Sequence, residues 1–179
     1  GIRSIVTATQ IIKSNDANLI IAGGTESMSN APYYLKSLRW GAKMGNQEVV
    51  DGMVFDGLTD IFNNYHMGIT AENLVDKYQL SREELDEFSA KSQQKAEAAI
   101  KSGKFIDEIV PVEIPQKKKD PIIFAQDEYP RFGTTVETLS KLPPAFKKDG
   151  KVTAGNSSGI NDGAAAVVIA DEEAIKKYS

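Results

Sequence analysis

Apolar residues recur along this chain in two rhythms. Ile2, Ile5, Val6, Thr9 and Ile12 share one face at helical spacing, so residues 2–14 read as an amphipathic helix that Ser14, Asn15 and Asp16 would end. The stretch NLIIAGG that follows is continuously apolar and closes on two glycines. That is the pattern of a short, fully buried strand in a parallel sheet covered on both faces. Helix, tight loop and buried strand in succession point to an α/β fold. Near the other end GAAAVVIA reads as a second strand, and Asp171, Glu172 and Glu173 open a helix where its dipole favours negative charge.

Between these two places the α/β rhythm is lost, from residue 30 to about 151. APYYLKSLRWGAKMGNQ is loop-like, aromatic and basic, and MGITAENLVDKY reads as a helix with Thr70 as its possible cap. The clearest helix follows, opened by a capping box of Ser81 and Glu84 and stopped by Gly103; Leu85, Phe88, Ser92, Ala96, Ala99 and Ile100 form its predicted inner stripe. DEIVPVEIP and DPIIFA read as two short strands around a basic tip of Lys117, Lys118 and Lys119, and TTVETLSKL as a short helix before Pro143 and Pro144. The pattern predicts an α/β domain at 1–29 and 160–179, interrupted by an inserted domain at 30–159.

A length of 179 residues suits one domain with a large insertion, and 41% hydrophobic with 26% charged residues is a globular balance rather than a disordered one. The net charge of −4 speaks against a nucleic-acid binder, yet a small anion held by a few local Lys or Arg remains compatible. There is no cysteine, which excludes disulfides, thiolate metal sites and a Cys nucleophile within these residues. The apolar runs at 19–22 and 164–170 are far below membrane-spanning length. The amino terminus lacks both an initiator Met and a signal-peptide layout and starts inside a helix, so the chain reads as a piece of a longer protein.

Candidate chemistry is sparse. His66 is the sole histidine, and no acidic or histidine neighbours stand at metal-ligand spacing around it. A hydrolase triad of His66 with Ser27, Ser29 or Ser158 lacks the Gly-x-Ser-x-Gly elbow. Glu26 is either a base or, more simply, a hydrogen-bonded carboxylate closing a strand. The lysine tip reads as a solvated hairpin end that also blunts a sheet edge. The run Gly155, Asn156, Ser157, Ser158, Gly159 matches neither a Walker loop nor a dinucleotide fingerprint. It is a connector or a ligand cradle, and its chemistry alone leaves both open.

IAGGTESMSNAPYYL, DGLTDIFNNYHMGITAENL, GKFIDEIVPV and GKVTAGNSSGINDGAAAVVI resemble, in family order, segments of the thiolases, and within them the bacterial biosynthetic acetyl-CoA acetyltransferases. The resemblance implies an α/β/α-layered thiolase amino-terminal domain with a large inserted loop domain. It implies an enzyme that condenses two acetyl-CoA to acetoacetyl-CoA and CoA, with CoA as substrate and no resident cofactor. The family's thiolate nucleophile would lie three residues before Gly1, and its second Cys and catalytic His belong to the carboxy-terminal half. No catalytic residue is therefore expected in this chain, and it is expected to be inactive alone. CoA contacts are implied at Leu58, His66, Met67, Arg131, Thr138, Phe146, Ala154, Ser158 and Ile160. The His66-Met67 pair resembles the short-acyl subclass, while a non-catalytic CoA-binding module and a longer-chain 3-ketoacyl-CoA thiolase are the rival readings. Thr138 stands where Ser is common and Trp40 where Gly is common. Expected partners are CoA or acetyl-CoA, the remainder of a thiolase chain and a homotetramer in the cytoplasm, without nucleic acid or membrane.

Overall fold

The computed structural model describes residues 1–178. In chain order the elements are Ile2–Lys13 (α1), Leu19–Glu26 (β1), Tyr33–Tyr34 (β2), Val50–Asp51 (β3), Thr59–Asp60 (β4), Tyr65–His66 (β5), Met67–Tyr78 (α2) and Arg82–Lys101 (α3). Val112–Ile114 (β6), Ile122–Phe124 (β7), Val136–Leu139 (α4), Gly163–Ala170 (β8) and Glu172–Tyr178 (α5) complete them. Two compact units emerge: Gly1–Gly57 with the segment from Ile160 onward, and Leu58–Gly159. Residues 30–57, placed in the insertion by the sequence pattern, pack with the first unit, where β2 pairs with β3 and the Tyr34 hydroxyl donates to Asp56 at 2.8 Å.

In the first unit β1 and β8 run antiparallel, Leu19 opposite Ala170 and Glu26 opposite Gly163. The expectation of a parallel, fully buried strand is corrected. The chain leaves at Glu26 and returns at Gly163, so the insertion acts as a very long hairpin loop, and strands joined at one end must oppose each other. α1 packs against both strands and α5 against β8, but the pair is not covered throughout. Ala22 and Ala174 are buried, whereas Ile21 is 73% and Val168 65% exposed. The packed stripe of α1 also differs from the expected one. Ala8 is buried with Ser4, Thr9 and Ile12 half-buried, and Ile2, Ile5 and Val6 are exposed. Ser4 helps decide that rotation, its hydroxyl donating to the Gly23 carbonyl of β1 at 2.7 Å.

In the second unit β4 and β5 form a tight hairpin that delivers the chain into α2. The Asp60 carboxylate holds its turn by accepting from the Phe62 and Asn63 amides at 2.9 and 3.3 Å. α3 has the expected capping box: the Glu84 amide donates to Ser81 Oγ at 3.0 Å, and the Ser81 amide donates to Glu84 Oε2 at 2.6 Å. Gly103 follows its end in left-handed backbone, φ +70°. The inward face, however, is centred on Asp86 and Ala90, while Phe88 is 77% exposed. The expected hairpin forms between β6 and β7, Val112 opposite Phe124, with the three lysines in its loop.

Candidate functional site

His66 ends β5 and is also the residue that caps α2. Its Nδ1 accepts from the Gly68 amide at 2.9 Å, a role the sequence pattern assigned to Thr70. An accepting Nδ1 carries no proton, so in this arrangement Nε2 bears the N–H. The imidazole stacks on Phe146, with ring centroids 4.8 Å apart and planes inclined by 21°. Gly68 makes this possible, since a β-carbon there would lie 2.2 Å from Phe146 Cγ. Leu58 accepts from the Met67 amide through its carbonyl at 2.7 Å, which places Leu58, His66, Met67 and Phe146 around one helix start. Lys147, next to Phe146, pairs with Asp76 of α2 at 2.8 Å. Each partner shifts the other: Lys147 holds the Asp76 carboxyl below its ordinary value, and Asp76 holds Lys147 above its own.

The loop from Lys151 to Ser158 is held from beneath by two buried carboxylates. Glu72 of α2, 1% exposed, accepts from the Lys151 amide at 2.9 Å and the Val152 amide at 2.8 Å. Asp86 of α3, also 1% exposed, accepts from Arg82 Nε at 2.7 Å with one oxygen and from Asn156 Nδ2 at 3.0 Å with the other. Arg82 is itself anchored, donating through Nη2 to the carbonyls of Leu139 and Leu142 at 2.6 and 3.0 Å. Asn156 also donates to the Lys151 carbonyl at 3.1 Å and accepts from the Thr153 amide at 2.7 Å. Thr153 Oγ1 accepts from the Gly155 and Asn156 amides at 3.2 and 3.3 Å, and Ser157 Oγ donates to the Thr153 carbonyl at 2.7 Å. Ala154 and Ser158 are exposed and make no hydrogen bond among the described residues.

The remaining candidates are more scattered. Arg131 is exposed; its amide donates to Gln93 Oε1 at 2.9 Å, and its guanidinium has no partner among the described residues. The Thr138 hydroxyl is engaged in capping α4, donating to the Thr135 carbonyl at 2.8 Å and accepting from the Thr135 amide at 3.1 Å. Ile160 belongs to the first unit and is exposed. Ser158 makes no hydrogen bond to His66. Ser29 is bound through both its amide, at 2.9 Å, and its hydroxyl to Asp162. Ser27 Oγ accepts from Asn30 Nδ2 at 2.7 Å. None of the three thus forms the start of a triad. The Glu26 carboxylate has no hydrogen-bond partner among the described residues, against the simpler reading made of it. No cluster of three or more His, Cys, Asp or Glu that could hold a metal occurs among them, and no helix there is long and apolar enough to cross a membrane.

Glu72, Gly68 and Asp86 were missed as site-building residues. For Asp86 the signal in the sequence was an acid four residues after Arg82, the spacing of an ion pair on one helix face. For Glu72 nothing local distinguishes it from a solvated helix residue.

Residues 1–173 match the family profile described as thiolase, N-terminal domain. A probable acetyl-CoA acyltransferase of Staphylococcus epidermidis is 58% identical over 176 residues, covering 98% of this chain and 45% of that protein. The structure of acetyl-CoA acetyltransferase from Syntrophomonas wolfei superposes with a TM-score of 0.91 at 44% identity, covering 99% of this chain and 44% of that one. Human mitochondrial 3-ketoacyl-CoA thiolase in complex with CoA superposes with a TM-score of 0.87 at 47% identity, over 99% and 44% of the two chains. The chain spans less than half the length of each of these relatives.

Proposed function

Since the chain belongs to the thiolase family and has the α/β fold of its N-terminal domain, we propose that it supplies the CoA-binding surface of an acetyl-CoA C-acetyltransferase. The parent reaction in this reading is the reversible condensation of two acetyl-CoA molecules to acetoacetyl-CoA and CoA, with CoA entering as substrate and no resident cofactor. The observation that carries it is the loop at 151–158, fixed from below and leaving Ala154 and Ser158 free of internal partners. CoA combines an amide-bearing arm, a purine and several phosphates. The second unit offers matching groups: free backbone and a hydroxyl at 154 and 158, an unpaired guanidinium at Arg131, and the Phe146 ring held against His66. Arg can meet phosphate by paired hydrogen bonds or stack on a base, which Lys does less well. Leu58 and Met67 supply apolar surface in this reading, and Thr138 a hydroxyl oxygen already oriented by its helix; Ile160 is proposed by itself as an apolar CoA contact of the first unit.

The names of the relatives from Staphylococcus epidermidis and Syntrophomonas wolfei favour acetyl transfer. The likeness to a human 3-ketoacyl-CoA thiolase supports a second reading, a longer acyl substrate on the same surface. Calorimetric titration of CoA into the chain tests the shared part. Arg131→Ala and Ser158→Ala should each weaken binding, Arg131→Ala by about tenfold, as expected for loss of a charge-assisted contact. Unaltered affinity in both variants would refute the assignment. Completed by thiolase sequence on both sides, the nucleophile-bearing segment expected before Gly1 and the carboxy-terminal half, the joined protein should give highest turnover with acetoacetyl-CoA; preference for longer 3-ketoacyl-CoA selects the second reading. The chain has no cysteine, and thiolysis by it alone should be undetectable. Completion by further thiolase sequence, a homotetrameric assembly and a cytoplasmic setting belong to the same proposal; sedimentation of the joined protein checks the assembly.

A further inference from the structure

We propose that Asp86 and Asn156, with Glu72 beneath them, are positioning residues that set the backbone of the CoA-facing loop; this rests on the CoA reading above. A segment containing two glycines, an asparagine and two serines is costly to order, because each residue surrenders much backbone freedom. Something must offset that cost if the loop is to meet a ligand already shaped. The hydrogen bonds of the loop divide by direction. The inward groups, namely the amides of 151, 152, 153, 155 and 156 and the carbonyls of 151 and 153, all find partners in the protein. The outward residues Ala154 and Ser158 find none among the described residues.

The partners are also arranged in series. Arg82 is fixed to two carbonyls, Asp86 is fixed to Arg82, and the Asp86 oxygen facing the loop orients the Asn156 amide. Asn156 then clips both the Lys151 carbonyl and the Thr153 amide, which closes the turn on which Ala154 sits. Buried carboxylates that served only to stabilise helix packing would have no need to address loop backbone. Here Glu72 accepts from loop amides with both oxygens, and Asp86 reaches the loop with one oxygen through the Asn156 side chain.

The test exploits the direction of the Asp86–Asn156 bond. Asn156→Asp places two carboxylates face to face, and Asp86→Asn removes the charge that orients Asn156. Each should weaken CoA binding at least about tenfold and speed amide exchange at Val152, Thr153 and Asn156 in the ligand-free chain. The double variant D86N/N156D restores the contact between positions 86 and 156 with its direction reversed, but leaves the Lys151 carbonyl without its donor, and should recover part of both. Where the exchanges prevent folding, the near-isosteric Thr153→Val removes the acceptor for the Gly155 and Asn156 amides without touching a charge, and should weaken CoA binding likewise. Single variants, or Thr153→Val, with a loosened loop but wild-type affinity overturn the positioning role. A folded double variant as weak as the singles overturns the pairing. If the wild-type chain fails to bind CoA while its loop amides remain protected, the CoA reading itself falls, a result distinct from either.

Discussion

At the scale of single residues, the decisive contacts are close approaches and buried charges. Gly68 exists as a glycine because the Phe146 ring occupies the space where a β-carbon would stand, 2.2 Å from Cγ. Gly68→Ala should cost about 1–3 kcal/mol through overpacking, read by denaturant unfolding. It should also shift the His66 ring protons in NMR spectra, because the 4.8 Å stack cannot persist with the ring displaced. Asp86→Ala should cost more, about 3 kcal/mol. It removes the charge partner of Arg82 Nε and one of the two acceptors of Asn156 Nδ2, although an Arg82 side chain 25% exposed keeps the loss at the low end for a broken buried pair. A shifted denaturation midpoint with an unchanged slope checks it.

At the scale of elements, caps and partners differ in how visible they are along the chain. The α3 capping box was readable because both of its bonds join residues three apart. Ser81→Ala should destabilise by about 1 kcal/mol, measured by thermal or chemical unfolding. Its charge has a pH signature. The Ser81 amide holds the Glu84 carboxyl below its ordinary value, so Glu84 stabilises above its unfolded pKa, and that contribution is lost as pH falls through the lower folded one. An NMR titration should find Glu84 titrating below the ordinary value of a glutamate side chain. The start of α2 was misread because Thr70 is a conventional capping residue and His66 is not. The hairpin ending at His66 turns its imidazole back over the Gly68 amide. The inner stripe of α3 was likewise misjudged at Phe88, since hydrophobicity pointed to the ring while the packed face took Asp86 with its Arg82 and Asn156 partners.

At the scale of the whole molecule, a set of carboxylates is tuned by local hydrogen bonding. Asp60, Asp76, Glu84, Glu97, Glu137, Asp162 and Asp171 are all held below their ordinary carboxylate values, each first of all by a hydrogen bond. Depressed carboxylates stabilise the folded state above their unfolded values, so melting temperatures should fall as pH drops below about 4. Lys147 is held above its ordinary value, and its contribution is lost only when strongly alkaline pH passes that raised value. A pH series of thermal melts checks the acid limb. Local order along the chain was determined by sequence alone: the α1, α2, α3 and α4 helices, the β6–β7 hairpin, and the two apolar strands around an insertion, all encoded by neighbours a few residues apart. The glycine-rich loop was visible too, but not its rigidity. Tertiary structure decided the antiparallel pairing of β1 with β8, whose partners are 137 residues apart at Glu26 and Gly163 and 151 at Leu19 and Ala170. It also decided which face of α1 packs, and the use of Glu72 and Asp86 as anchors for a loop some seventy to eighty residues away. Apolar runs and acidic side chains look the same along the chain whether they meet a strand, a loop or water, and only the folded partner distinguishes them.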